Sequence, residues 1–109
     1  MVKVKLKKQK ECYLGYEITG HSNYSQHGED IVCAAISALA QTTLLAIKEL
    51  VTEDLTYDIS SGYLKVTYPE NLTEKQRADI NLLTESMFLG LREIEKQYGK
   101  YLKVSIISI

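Results

Sequence analysis

The sequence predicts an α+β fold: a single domain of order ββαββαβ, with one mixed sheet and two helices packed on it. Three observations carry this expectation. Five short runs alternate apolar and polar residues with the period of a strand, and two long segments repeat at helical spacing instead. These elements follow one another along 109 residues, enough for one domain spanning 1–109 and too few for two.

Val2 to Lys8 alternates cleanly as the first strand, with Lys3, Lys5 and Lys7 forming a solvated face. In the second strand Cys12, Leu14, Tyr16 and Ile18 share one face, opposite Glu11, Tyr13, Glu17 and Thr19, which places Cys12 in the core. The few residues between the two runs suit a hairpin. From Thr19 to Glu29 the pattern dissolves into Gly, His, Ser, Asn, Tyr and Gln. This loop exceeds the usual connection of ~4–6 residues, and long loops in compact domains tend to carry function.

Asp30 stands where an N-cap belongs, and a helix runs from it to about Val51. Alanine and leucine occupy nearly every side of that helix, so it should be central and largely buried. Leu55, Tyr57 and Ile59 alternate as strand three, Ser60-Ser61-Gly62 turns the chain, and Leu64, Val66 and Tyr68 alternate as strand four. After Pro69, Asn71 or Thr73 caps a second helix with the stripe Ile80, Leu83, Met87, Leu91, Ile94 and Tyr98, and Gly99 marks its stop. Leu102, Val104 and Ile106 form the fifth strand.

Thirteen basic and fourteen acidic residues leave a formal charge of −1. That balance gives no electrostatic footprint for nucleic acid or an anionic membrane. The opening residues alternate rather than forming the apolar core of a secretory signal. The apolar stretch from Ile31 to Val51 is interrupted by Ser37, Gln41, Thr42, Thr43, Lys48 and Glu49, short of the ~20 apolar residues of a bilayer span. The expectation is a soluble, cytoplasmic protein, in which the two cysteines are free thiols.

The chemistry concentrates at the loop-to-helix junction. Cys33 is the third residue after Asp30, in the first helical turn, where unpaired N–H groups and the macrodipole favour an anion by ~0.3–1 kcal/mol, up to ~2 in protected geometries. A thiol nucleophile needs such help, together with a base in reach. His21 and His27 both lie on the loop, and chain geometry does not choose between them. The bland alternative for Cys33 is a small buried hydrophobe, and for either histidine an exposed loop residue. Asp30 either caps the helix or orients a histidine as a third catalytic member, and the cap ranks first. A zinc site from Cys12, His21, His27 and Cys33 lacks the close ligand spacing of structural zinc. No cofactor or metal is called for.

Gly20-His21, then Gly28-Glu29-Asp30-Ile31-Val32-Cys33-Ala34-Ala35-Ile36-Ser37-Ala38, resembles the signature of the ribosomal-processing cysteine protease family, Prp. Gly62 to Val66, Leu91 to Tyr98 and Tyr101 to Val104 resemble its fourth strand, last helix and last strand. The resemblance implies a cysteine endopeptidase that removes the N-terminal extension of a large-subunit ribosomal protein, cutting just after a phenylalanine. It implies Cys33 as nucleophile, His21 as general base and acid, and Asp30 in a supporting role as cap or orienting residue. His27 is not a motif position. A homodimer is implied, with the loop moving over the cleft. The helix-start N–H groups, that of Cys33 included, are expected to stabilise an oxyanion. The rival reading is a non-catalytic ribosome-associated or scaffolding homodimer whose thiol is only packed, a role that a neutral surface and eight tyrosines also suit.

Overall fold

Five strands and two helices follow one another as β1 (Val2–Gln9), β2 (Cys12–Thr19), α1 (Ile31–Leu50), β3 (Thr56–Ser60), β4 (Tyr63–Thr67), α2 (Glu74–Tyr98) and β5 (Leu102–Ser108). They come from a computed structural model that describes every residue except 23 and 26–29. The strands form one mixed sheet in the order β3-β4-β2-β1-β5, parallel only between β1 and β5. The predicted class and element order hold.

Alternation decides which face of the sheet is covered. Val2, Val4 and Leu6 are buried, while Lys3 and Lys5 between them are exposed. Tyr16 and Ile18 of β2, Leu64 and Val66 of β4, and Leu102 and Val104 of β5 join the buried face. Both helices lie on it. From α1, Val32, Ile36, Ala40, Leu44 and Ile47 face inward; from α2, Ile80, Thr84, Met87 and Leu91 do. By length and composition alone α1 would suffice to cross a membrane. Only one stripe of it packs on the sheet, and Ile31, Leu45 and Leu50 on its other sides are exposed, so the helix is not the largely buried one its composition suggests.

Both helix starts are capped by side chains. Thr73 and Gln76 form a reciprocal capping box at α2, and Asp30 caps α1. Gly99 ends α2 in a right-handed conformation, so the stop is not a left-handed glycine cap. Thr84, a polar residue inside the apolar stripe, is fully buried because its hydroxyl pairs with that of Tyr68 at 2.6 Å. Tyr57 and Ile59 pair with Val66 and Leu64 on the covered face, yet both stay exposed at the sheet edge.

The expected phase of β2 is wrong at its start. Lys7 pairs with Gly15 but Lys8 with Tyr13, so Leu14 is an extra residue in a β-bulge. Beyond a bulge the inward and outward positions exchange. Tyr13 is therefore buried, and Cys12 is only half-buried rather than in the core. Asn81 secures the bulge, accepting from the Tyr13 N–H at 3.0 Å and donating to the Glu11 carbonyl at 3.4 Å. Cys12 thus opens β2 at the end of the sheet away from the His21 loop. At ~3.3 Å per residue, the strand between them spans roughly 25 Å.

Candidate active site

β2 ends at Thr19, and the Gly20 N–H donates to the Gly62 carbonyl at 2.9 Å. This bond ties the exit of β2 to the turn before β4. Gly62 adopts φ +69°, the left-handed region, in the β3–β4 turn. A Cβ added there would lie 2.7 Å from Nε2 and 3.1 Å from Cε1 of His21. The imidazole thus rests against a bare glycine Cα and is exposed on its other side.

The other half of the site is the start of α1. Asp30 is extended, with φ −79° and ψ 103°, as a cap residue should be. Its Oδ1 accepts from the N–H groups of Val32 and Cys33, each at 3.0 Å. Its Oδ2 accepts from the Ser22 hydroxyl and, at 3.2 Å, from the Tyr24 N–H. Two of these donors are the N–H groups of the second and third helical residues, as a cap requires, so the geometry supports the capping role. Desolvation alone would raise the Asp30 carboxyl. The hydrogen bonds from Ser22, from the N–H groups of Cys33 and Tyr24, and from the Cys33 thiol outweigh it and hold the group at about 2, below its ordinary 3.8.

Cys33 is half-buried in the first turn of α1. The Ser22 N–H donates to its sulfur at 3.2 Å. His21, Asp30 and Cys33 all line one pocket of about 520 Å³, which continues between α1 and the β3–β4 turn. Ile36, Ala40 and Ile59 contribute apolar lining, and Ser37 and Gln41 polar groups. His21 and Cys33 thus line the same pocket. The expected oxyanion donor is not open, because the Cys33 N–H is already committed to the cap.

Cys12 opens onto a different surface with Gln9, Lys10 and Arg77, so it takes no part here. His27 lies outside the described residues. Among the described residues, no three His, Cys, Asp or Glu side chains come together as metal ligands. Tyr24 packs edge-on against Tyr98 and Tyr101, with ring centroids 5.7 and 5.1 Å apart, which fastens this part of the loop to the end of α2.

Two residues of the site escaped the sequence analysis. In the sequence Ser22 reads only as loop, and Gly62 only as turn and strand start. The positive φ of a turn glycine was foreseeable; that a histidine 41 positions earlier packs on it was not.

Known proteins share both the sequence and the architecture. The chain is 35% identical over 94 residues to the ribosomal processing cysteine protease Prp of Bacillus subtilis strain 168, covering 84% of each. It is 27% identical over 88 residues to the protein of that name from Staphylococcus aureus strain Mu50, covering 79% of each. Among solved structures, SMU.848 from Streptococcus mutans superposes with a TM-score of 0.79 at 26% identity, covering all of this chain and 96% of that one. The S. aureus ribosomal processing protease Prp, in complex with a covalently linked product peptide, shares the fold. Its TM-score is 0.82 at 24% identity, over 98% of this chain and all of that one. The family described as cysteine protease Prp matches residues 1–103. A thiol at a helix start, a histidine on the facing loop and an open pocket beneath both thus accompany a match over nearly the whole sequence, and the chain belongs to the cysteine protease Prp family.

Proposed function

We propose that this protein is a cysteine endopeptidase that removes the N-terminal extension of a large-subunit ribosomal protein, with Cys33 as nucleophile and His21 as general base and acid. The observation that carries this reading is the shared pocket: His21 and Cys33 line one cavity of about 520 Å³ in a chain of a cysteine protease family. The B. subtilis and S. aureus relatives are named for ribosomal processing, which supports the substrate class.

The chemistry is acyl transfer. His21 takes the Cys33 proton, and the thiolate attacks the scissile carbonyl to form a tetrahedral intermediate. As this collapses, His21 protonates the leaving amine, and a thioester joins the substrate to Cys33. Water, activated by the same imidazole, hydrolyses the thioester and restores the thiol. Asp30 stays charged as the helix cap, and its hydrogen bonds hold the helix start and the loop together. The groove between α1 and the β3–β4 turn receives an extended peptide, with apolar lining for a phenylalanine just before the cut. A homodimer, with no direct nucleic-acid contact, completes the proposal.

The test is incubation with the extended ribosomal precursor under reducing conditions, read by mass spectrometry. Loss of the extension in a single cut supports the reading, and an intact precursor with folded enzyme rejects it.

A further inference from the structure

Ser22 follows His21 directly and lies outside every strand and helix, yet it is only 2% exposed. Its N–H and its hydroxyl are both directed at the nucleophile's surroundings. Its N–H donates to Cys33 Sγ, and its hydroxyl donates to Asp30 Oδ2, while Asp30 Oδ1 accepts from the Cys33 N–H. These bonds close a ring of three residues. The Tyr24 N–H reinforces it by donating to both the Ser22 hydroxyl and Asp30 Oδ2, at 3.3 and 3.2 Å.

We propose that Ser22 is a positioning residue of the peptidase site: its hydroxyl, anchored on Asp30, aims its own N–H at the Cys33 sulfur and holds the adjoining His21 in place. The inference rests on the peptidase reading above for its purpose, but its geometry stands independently of any substrate. A neutral thiol is a weak acceptor, whereas hydrogen bonds to ionised groups are much stronger. An N–H fixed on Sγ therefore gives the sulfur a donor whose bond strengthens as negative charge develops there during attack. An amide outside regular structure keeps its aim only if its peptide plane is held, and the Ser22 hydroxyl on Asp30 does this. Because His21 and Ser22 share that peptide bond, the same anchor limits the travel of the base.

Alkylation of Cys33 by iodoacetamide, followed site by site against Cys12 across pH, tests this without a substrate. Ser22→Ala removes only the hydroxyl and should slow Cys33 alkylation near neutral pH by about tenfold, the loss expected when one hydrogen bond to an ionised group is forfeited. Cys12 alkylation should not change. Ser22→Thr, which restores the hydroxyl, should recover most of the rate. In peptide hydrolysis the alanine variant should lose kcat with little change in KM. Wild-type alkylation and kcat in a folded Ser22→Ala protein would overturn the proposal, and so would equal changes at both cysteines, the mark of general loosening. Amide exchange of the wild-type protein decides the matter even if the variants fail to fold. The Ser22 N–H should be protected despite lying outside regular structure, and free exchange would refute its bond to sulfur. A Ser22 effect on alkylation in a protein that cuts no precursor would sink the proposed function while leaving this inference standing.

Discussion

Replacing Gly62 by alanine introduces a methyl group where the His21 imidazole now lies. The added Cβ would stand 2.7 Å from Nε2, closer than such atoms approach in proteins, so the ring or the turn must move. Two costs follow from the structure. The first is backbone strain, because φ at this position is +69°, and an L-residue there costs roughly 1–2 kcal/mol. For a domain of this size that lowers the melting temperature by roughly 5–15 °C. The second is catalytic. Relieving the clash displaces the imidazole by something on the order of 1 Å, and a misplacement of that size can cost about 10²-fold in rate. The assay is kcat/KM on the precursor peptide at 25 °C, beside thermal melting. Ile80→Val is the control: it trims a buried residue of α2 that does not line the pocket, with a comparable cost of about 0.5–1.5 kcal/mol. The control should keep kcat/KM within about twofold, while Gly62→Ala loses about a hundredfold. A Gly62→Ala protein that melts lower but turns over like the wild type would refute the claim that this glycine seats His21.

Other predictions follow from the same geometry. Cys33→Ala should abolish cleavage with the fold retained, whereas Cys12→Ala, half-buried at the far end of β2, should stay active and lose little stability. Loss of activity in both, with normal folding, would contradict the division of roles. His21→Ala should lower turnover by ~10²–10⁴, and a near-normal rate would remove it as the base. Asp30 has a folded-state pKa of about 2 against 3.8 for the ordinary carboxyl. The stability it contributes is therefore complete above pH ~4 and is lost as pH falls through ~2. Asp30→Asn should melt below the wild type at pH 6, with the gap closing between pH 4 and 2. A gap independent of pH would show that the charge contributes nothing.

Much of this architecture is legible in the residues because burial imposes periods on them. The alternation of Val2, Val4 and Leu6 with lysines, and the helical spacing of Ile80, Met87 and Leu91, each reflect one covered face. Where the reading failed, a local event broke the period. The bulge at Leu14 reversed the phase of β2 and moved Cys12 out of the core. Gly15, a glycine inside a strand, was the available signal. Thr84 escaped because a polar residue in an apolar stripe is explained only by its distant partner Tyr68. At the site, Asp30 was legible as a cap because capping is local. The placement of Ser22 on Cys33 and of His21 on Gly62 depends on how β2, α1 and the β3–β4 turn converge, and no single-chain pattern encodes that.

Under the proposed function, Cys33 would cut the extended ribosomal precursor just after a phenylalanine seated in the groove between α1 and the β3–β4 turn. Its most direct test is mass spectrometry of two peptides from the precursor, one native and one with that phenylalanine changed to aspartate, incubated with reduced wild-type protein. A single cut in the native peptide and none in the variant are expected, because a carboxylate set against Ile36, Ala40 and Ile59 is desolvated without a partner. Equal cleavage of both peptides, or of neither by folded protein, would contradict that function.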